Sequence, residues 1–167
     1  MNEKQIGPKS MPPITFFKVE FDMVLKISTN KIYSGVHYRT RIKHKKMYQW
    51  EVLRVCKKEK IKPINNYPVI LKFTFYFDKN LLDSSNCSYM AKLIEDALVH
   101  EGVFINDTPQ YISRVSTQSK RGPKGQNKII LEVLPNEEYD HQSNSRPVCK
   151  KQPSSRKTEG GQQETLF

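Results

Sequence analysis

The sequence predicts a small domain of the α/β (α+β) class, with a few β-strands and two main helices. Residues 67–77 carry apolar side chains at alternate positions, and residues 88–101 repeat theirs at helical spacing. β-Branched and aromatic runs lie on both sides of this pair. The length of 167 residues suits one domain plus tails.

The first half of the domain is predicted to hold a strand region and a helix. Residues 14–27 are β-branched and aromatic, and they indicate one strand or two short ones. Residues 28–35 have a turn-like composition. Residues 37–62 contain no glycine or proline and favour a helix, which ends at a turn bracketed by Pro63 and Pro68.

The second half begins with the clearest predicted strand, residues 67–77. Alternation places five large apolar side chains on one face of this strand. These are Val69, Leu71, Phe73, Phe75 and Phe77. The following loop, residues 78–86, is rich in residue types that cap helices, and this composition predicts that a helix begins after it.

That helix is predicted over residues 88–101, where apolar residues recur at the spacing of a buried stripe. The stripe consists of Met90, Leu93, Ile94, Ala97 and Leu98. Gly102 stands where a helix C-terminal glycine belongs. Residues 111–119 and 128–134 indicate two more strands, and the segment between them is typical of a hairpin loop.

Polar segments flank this region. Residues 1–12 are predicted to form a flexible arm, residues 13–138 the folded domain, and residues 139–162 a disordered linker. The last five residues, 163–167, end on an apolar pair with no core nearby in the sequence.

The chain is strongly basic, with 28 Lys and Arg against 17 Asp and Glu, a net charge of +11 and a pI near 9.6. Such an excess indicates a polyanionic partner. A basic surface without a partner and an anionic membrane surface are the alternatives. No basic amphipathic helix with a clean apolar face favours the membrane, and no run approaches the ~18 apolar residues of a membrane span.

The three cysteines, Cys56, Cys87 and Cys149, are widely spaced and match no zinc-binding pattern. A disulfide framework is not expected either, which indicates a reducing cytoplasm. The N-terminal residues lack the apolar segment of a signal peptide.

The candidate chemistry lies between Asp83 and Asp107. Lys92 and Asp96 are four residues apart and share a helix face, and Asn86 precedes the helix. Carboxylates are the hard oxygen ligands that Mg²⁺ prefers, and a lysine beside them could stabilise charge on a phosphate. The alternative is structural: Asp83 caps the helix and Lys92 pairs with Asp96 on a wet surface.

Geometry constrains the metal interpretation. A helix of about 14 residues is ~21 Å long, so Asp83 and Asp107 lie at its opposite ends. Either the loop after Gly102 returns along the helix, or a different carboxylate completes the site.

The stretch LLDSSNCSYMAKLIEDALVHEGVFINDTPQYI resembles the core of the RusA family of Holliday junction resolvases. That family has an Asp-x-Asp-Asn segment, a lysine, an Asp-Ala-Leu segment and a later Asp. Asp83 and Asn86 match the ends of the first segment, and Lys92 matches the lysine. Asp96 begins the Asp-Ala-Leu segment, and Asp107 is the later acidic residue.

The resemblance implies a small mixed sheet, an obligate homodimer, and Mg²⁺-dependent cleavage of four-way junction DNA in recombination and repair, with Mn²⁺ as a possible substitute. By this resemblance Asp83 and Asp107 are catalytic metal ligands and Lys92 is a catalytic cation. Asn86 is expected to position water or phosphate. A bacterial or phage-encoded cytoplasmic protein fits this family.

Two departures from the family pattern affect the site. Ser85 stands in place of the second acidic residue, and three additional residues separate Asn86 from Lys92. A hydroxyl is a far poorer Mg²⁺ ligand than a carboxylate. Asp96 is the favoured substitute as a metal ligand, and Glu95 is the alternative.

Basic residues are concentrated in the predicted first helix and suit phosphate contacts without sequence specificity. The DNA-binding candidates are Arg39, Arg41, Lys43, Lys45 and Lys46, with Lys120 and Arg121 as a second cluster. A solvated helix face is the alternative. Trp50 and the neighbouring tyrosines are expected to pack in the core or a dimer interface rather than to stack on bases.

The C-terminal pentapeptide resembles the bacterial sliding-clamp-binding motif, which consists of a glutamine, two variable residues, leucine and phenylalanine. Gln163, Leu166 and Phe167 occupy its fixed positions. A flexible linker that ends in an apolar pair can fill a preformed cleft on a partner. A pair that folds back on the domain is the alternative.

Three functions are therefore left open by the sequence. The first is a dimeric, metal-dependent junction endonuclease that the tail tethers to the clamp. The second is a non-catalytic module that binds branched DNA, because Ser85 has removed the chemistry. The third is an RNA-binding or ribosome-associated basic protein.

Overall fold

The computed structural model describes residues 15–136, which fall within the predicted folded domain. The arm, the linker, Cys149 and the clamp-binding candidates Gln163, Leu166 and Phe167 lie outside the described residues. The strands are β1 (Phe17–Asp22), β2 (Val69–Phe77), β3 (Ile112–Arg121) and β4 (Lys128–Pro135). The helices are α1 (Thr29–Tyr33), α2 (Tyr38–Glu59) and α3 (Ser88–His100), and a 3-10 turn over Ser84–Cys87 precedes α3.

The four strands form one mixed sheet in the order β1-β4-β2-β3. β4 runs antiparallel to both of its neighbours, β1 and β2, whereas β2 and β3 are parallel. A parallel neighbour requires a crossover connection, and α3 supplies it between β2 and β3. The predicted α+β class with a small mixed sheet is thereby confirmed.

Strand β2 provides the centre of the core because it is paired on both sides. Its five alternating apolar side chains, predicted to share a face, are all fully buried: Val69, Leu71, Phe73, Phe75 and Phe77. All five residues of the predicted α3 stripe are buried as well. Both periodic patterns therefore gave the correct buried faces.

Helix α2 covers the core with one side only. Tyr48, Val52 and Val55 are buried, and the Tyr48 hydroxyl donates a hydrogen bond of 2.7 Å to the Leu25 carbonyl. Lys60, the residue after the helix, caps its C-terminus in the left-handed conformation, with φ of 52°. Most of the remaining side chains of α2 are charged. Within residues 15–136, no helix has the length and apolar character needed to cross a bilayer.

The predicted hairpin between β3 and β4 is wrong. These strands lie on opposite sides of β2, and the loop between them crosses the end of β2. The Gly122 amide donates a 2.8 Å hydrogen bond to the Phe77 carbonyl there, and a Cβ on Gly122 would lie 3.1 Å from the Tyr76 Cβ. The turn-like composition correctly predicted that the chain reverses between β3 and β4. It carries no information on whether another strand, here β2, lies between the two.

The segment predicted as a turn at 28–35 contains the short helix α1. The Ser28 side chain caps it by accepting a hydrogen bond from the Asn30 amide at 3.2 Å. The Thr29 hydroxyl donates to the Asn86 carbonyl at 3.0 Å, which attaches α1 to the 3-10 turn. Five residues are too few to display helical periodicity, so local composition could not distinguish this helix from a turn.

Candidate metal centre and basic surface

The Lys92 ammonium lies among three carboxylates. Its Nζ is 2.7 Å from Glu95 Oε1 and 3.1 Å from Asp96 Oδ1, and it is also in direct contact with Asp107 Oδ2. Residues three and four positions apart on a helix are neighbours, which explains the first two contacts. The third contact joins the helix to the loop that follows it. We call Glu95, Asp96 and Asp107 the carboxylate cluster.

Asp107 reaches Lys92 because the loop after α3 folds back along the helix. Gly102, with φ of 74°, reverses the chain at the helix end. Val103 and Phe104 are buried and anchor the start of the loop, and the Ile105 amide donates a 3.1 Å hydrogen bond to the Tyr67 hydroxyl. The loop therefore returns along the helix as far as Lys92, but the carboxylates that Asp107 meets there are Glu95 and Asp96 rather than Asp83.

The carboxylate cluster has the donor chemistry of a divalent-cation site. One carboxylate oxygen from each residue lies within 4.8 Å of the others. Glu95 is only 6% exposed, whereas Asp107 is exposed, so the cluster has an inner wall and an outer opening. Hard oxygen ligands with one side open to solvent suit Mg²⁺ or Mn²⁺, which keep positions for water and substrate phosphate.

Lys92 controls the electrostatics of the cluster. Partial burial disfavours its charged form, but hydrogen bonds to Asp107, Glu95 and Asp96 outweigh this and raise the pKa of Lys92. The hydrogen bond from Lys92 also lowers the pKa of Asp107. Burial raises the pKa of Glu95, and the negative charges of Asp107 and Asp96 raise it further. Together these effects outweigh the hydrogen bond from Lys92, which lowers the pKa.

Asp83 is not a member of the carboxylate cluster. It is exposed and precedes the 3-10 turn, at the opposite end of α3 from the loop that carries Asp107. Its side chain makes no capping hydrogen bond, so the structural alternative of a helix cap is wrong. Its role as a metal ligand stays a prediction of the resemblance.

Asn86 is engaged with α1. Its side-chain oxygen accepts hydrogen bonds from the Ser28 hydroxyl at 3.0 Å and the Asn30 amide at 3.4 Å. The described contacts therefore give Asn86 a role in holding α1, and its role in positioning water or phosphate stays a prediction.

Glu95 joins the site more closely than the sequence analysis expected, where it was only the alternative to Asp96. The available signal was its place three residues after Lys92, next to the apolar stripe. An acidic side chain on the buried side of a helix needs a charged or hydrogen-bonding partner. Lys92 provides that partner here.

Lys45 lies beside the carboxylate cluster. A pocket of about 320 Å³ is lined by Lys45, Asp96, Val99, His100 and Asp107, and we call it the site pocket. The packing of α2 on α3 brings Lys45 to this position. The sequence analysis assigned Lys45 to DNA binding in general, and nothing in the local pattern linked it to the acidic residues.

The other basic candidates differ in their surroundings. Arg41 donates to the carbonyls of Val36 at 3.2 Å and Ile32 at 3.4 Å, so it joins α1 to α2. Arg39, Lys43 and Lys46 are exposed on α2. Lys120 and Arg121 are exposed at the end of β3, where Arg121 donates a 2.8 Å hydrogen bond to the Asp78 carbonyl.

The aromatic residues of α2 do not share one environment. Tyr48 is buried, as expected for core packing, but Trp50 is 73% exposed and Tyr38 is also exposed. The expected core role is therefore wrong for Trp50 and Tyr38. Trp50 is on the outward side of the helix, opposite Tyr48, Val52 and Val55, whereas Tyr38 is the first residue of the helix.

No known protein-family model matches this chain, and a comparison with curated proteins also gives no match. The resemblance to the RusA family therefore rests on the residues quoted above and on nothing else.

Proposed function

We propose that this protein is a divalent-metal-dependent endonuclease that cleaves branched DNA, with four-way junctions as its substrate. One observation carries the proposal: a lysine and three carboxylates from two separate segments converge beside a pocket that a second lysine also lines. The net charge of +11 supports a polyanionic substrate. The resemblance to the RusA family supplies the four-way junction.

The carboxylate cluster would hold the cation, Mg²⁺ or Mn²⁺. A bound ion would supply Lewis acidity toward the scissile phosphate and a more acidic water. Glu95 would form the buried wall of this site, while Asp96 and Asp107 face the site pocket. Because Asp107 lies in the loop after α3, its binding to the ion would couple the position of this loop to metal binding.

Lys92 would act as the catalytic cation. Its ammonium now neutralises the carboxylates, so a bound ion would have to displace it. The side chain is 49% exposed and has a flexible stem, which allows the ammonium to turn toward a phosphate. Released from the carboxylates, Lys92 would stabilise negative charge on the phosphate oxygens.

Lys45 would hold the DNA backbone over the site. It enters the site pocket from α2, opposite the ligands on α3 and its loop. A lysine in this place can bind the phosphate next to the scissile one. Exposed Lys43 and Lys46, on the outward side of the same helix, would contact another part of the branched DNA.

The test is cleavage of a labelled four-way junction by the full chain with and without Mg²⁺. We expect paired nicks that require the metal, and Asp107→Asn and Glu95→Gln should each lower the rate about 100-fold or more. Glu59→Gln is a matched control, because Glu59 is an exposed carboxylate at the far end of α2. Wild-type rates in both cluster variants would contradict the proposed ligands.

Asp83→Asn tests the remaining prediction of the resemblance separately. Loss of metal binding in this variant, measured by calorimetry, would add Asp83 to the ligands. Unchanged metal binding and cleavage would remove Asp83 from the site.

A non-catalytic module for branched DNA is the second candidate. The observation in its favour is that Lys92 already satisfies all three carboxylates of the cluster. Tight junction binding without cleavage in Mg²⁺ or Mn²⁺ would establish this function. Competition between junction DNA and structured RNA would distinguish both candidates from an RNA-binding protein.

A further inference from the structure

We propose that Trp50, on the outward side of α2, stacks on unpaired bases of the DNA substrate. This inference rests on the proposed binding of branched DNA and names the part of the substrate that α2 contacts. It replaces the expectation that Trp50 packs in the core or in a dimer interface.

Trp50 presents its ring to solvent beside a shallow hollow. The side chain is 73% exposed, and the hollow of about 460 Å³ is lined in part by Val24, Met47 and Leu53. Met47 is itself exposed. An exposed tryptophan next to a largely apolar hollow offers the flat surface on which bases stack.

Lysines surround this ring on the same side of the helix. An α-helix turns about 100° per residue, so residues four or seven positions apart lie on the same side. Lys46 lies four positions before Trp50, Lys43 lies seven positions before it, and Lys57 lies seven positions after it. All three are exposed. We call Lys43, Lys46, Trp50 and Lys57 the α2 outer face. A line of cations with an aromatic ring between them matches a single strand, whose phosphates and bases alternate.

Arg54 differs from these lysines because it is already neutralised. Its guanidinium contacts Glu51 at 2.7 Å and Asp22 at 2.9 Å. These contacts attach α2 to β1, so Arg54 supports the position of the outer face rather than binding DNA itself.

Charge favours nucleic acid over a second copy of the chain as the occupant. A two-fold interface through the α2 outer face would bring the same lysines of both copies together, and the acidic residues beside this face, Glu51 and Asp22, are already paired with Arg54. A DNA strand instead neutralises these lysines. Bases in a closed duplex are stacked on each other, so the ring can reach only bases that a branch point leaves unstacked or unpaired, or the bases of a single-stranded segment.

Trp50 is the single tryptophan of the chain, which makes its fluorescence a site-specific probe. The full chain is titrated at constant salt with a dye-labelled four-way junction, an oligothymidine strand and a closed duplex. Anisotropy of the dye reports DNA binding, and quenching of the Trp50 emission reports stacking. We expect strong quenching by the junction and the single strand, and little by the duplex.

The two signals separate the two hypotheses. Binding of the junction with unchanged Trp50 emission would overturn the stacking proposal and leave the proposed function standing. Absence of any binding would overturn the proposed function. An emission shift that depends on protein concentration without DNA would identify a second copy as the occupant and reject stacking.

Variants give an independent readout by anisotropy. Trp50→Ala should weaken binding to the junction and the single strand about tenfold or more, and Trp50→Phe should restore most of it. Tyr33→Ala, which removes an exposed aromatic ring on α1, is the matched control and should bind normally. Thermal unfolding checks that Trp50→Ala is folded, and equal affinity of Trp50→Ala and wild type would reject the proposal.

Discussion

Lys92 illustrates how a single side chain can hold a site together before any ligand binds. Three carboxylates within 4.8 Å of one another repel, and one of them, Glu95, is buried. The ammonium of Lys92 offsets this repulsion and therefore competes with any cation for the same oxygens. Metal binding and the position of Lys92 are coupled in this arrangement.

Replacing Lys92 by glutamine separates these two roles. We expect Lys92→Gln to bind Mn²⁺ at least as tightly as the wild type, because the competing ammonium is gone. Junction cleavage should fall about 100-fold or more, because the charge on the phosphate loses its partner. Calorimetry and single-turnover cleavage measure the two effects, with Lys79→Gln as an exposed lysine control. Weaker metal binding in Lys92→Gln would contradict the competition.

The two cysteines within the described residues should react slowly. Burial raises the pKa of Cys56 and of Cys87 to about 11, so at pH 8 both are thiols rather than the reactive thiolates. Mass spectrometry after brief iodoacetamide treatment should find both unmodified in the native protein and modified in urea. Rapid native alkylation of Cys87, which is fully buried, would show that the core around it opens.

At the scale of the element, helix α2 has three sides with different surroundings. One side packs Tyr48, Val52 and Val55 into the core. A second side carries Lys45 to the site pocket. The outward side presents exposed lysines, and this division explains why a helix with so many charges is nevertheless well anchored.

Salt dependence tests the outward side of α2. The double variant Lys43→Ala, Lys46→Ala should reduce the slope of log affinity against log salt for junction DNA by about 0.9 per lysine. Arg41 is omitted from this variant, because its hydrogen bonds to the α1 region would be lost as well. Lys72→Ala is the control, since Lys72 is on the central strand and pairs with Glu132. An unchanged slope would remove Lys43 and Lys46 from the DNA interface.

At the scale of the whole molecule, the connection β2-α3-β3 determines where the site forms. Parallel pairing of β2 and β3 requires a crossover connection, and α3 returns the chain to the end of the sheet where β2 began. The loop at the end of this return carries Asp107 back to α3, beside α2. The predicted homodimer would place two such sites on one junction, and sedimentation at micromolar concentration tests it.

The C-terminal tail is expected to work independently of the domain. Truncation after Gly161 removes Gln163, Leu166 and Phe167 and should abolish binding to a bacterial sliding clamp, measured by surface plasmon resonance. Junction cleavage in solution should be unchanged, because the truncation removes neither Lys92 nor any residue of the carboxylate cluster. The double variant Leu166→Ala, Phe167→Ala should match the truncation. Clamp binding that survives in both would reject the motif.

Local patterns in the sequence determined that β2 is a strand and α3 a helix, and they determined the buried face of each. The reason is that apolar side chains repeat with the period of a strand or of a helix. They also determined that Lys92 and Asp96 are neighbours and that α2 is basic. The strand order, the return of Asp107 to Lys92, and the approach of Lys45 were decided only by the tertiary structure. These contacts join residues that are distant in the chain, and they depend on which surfaces pack together rather than on any local period.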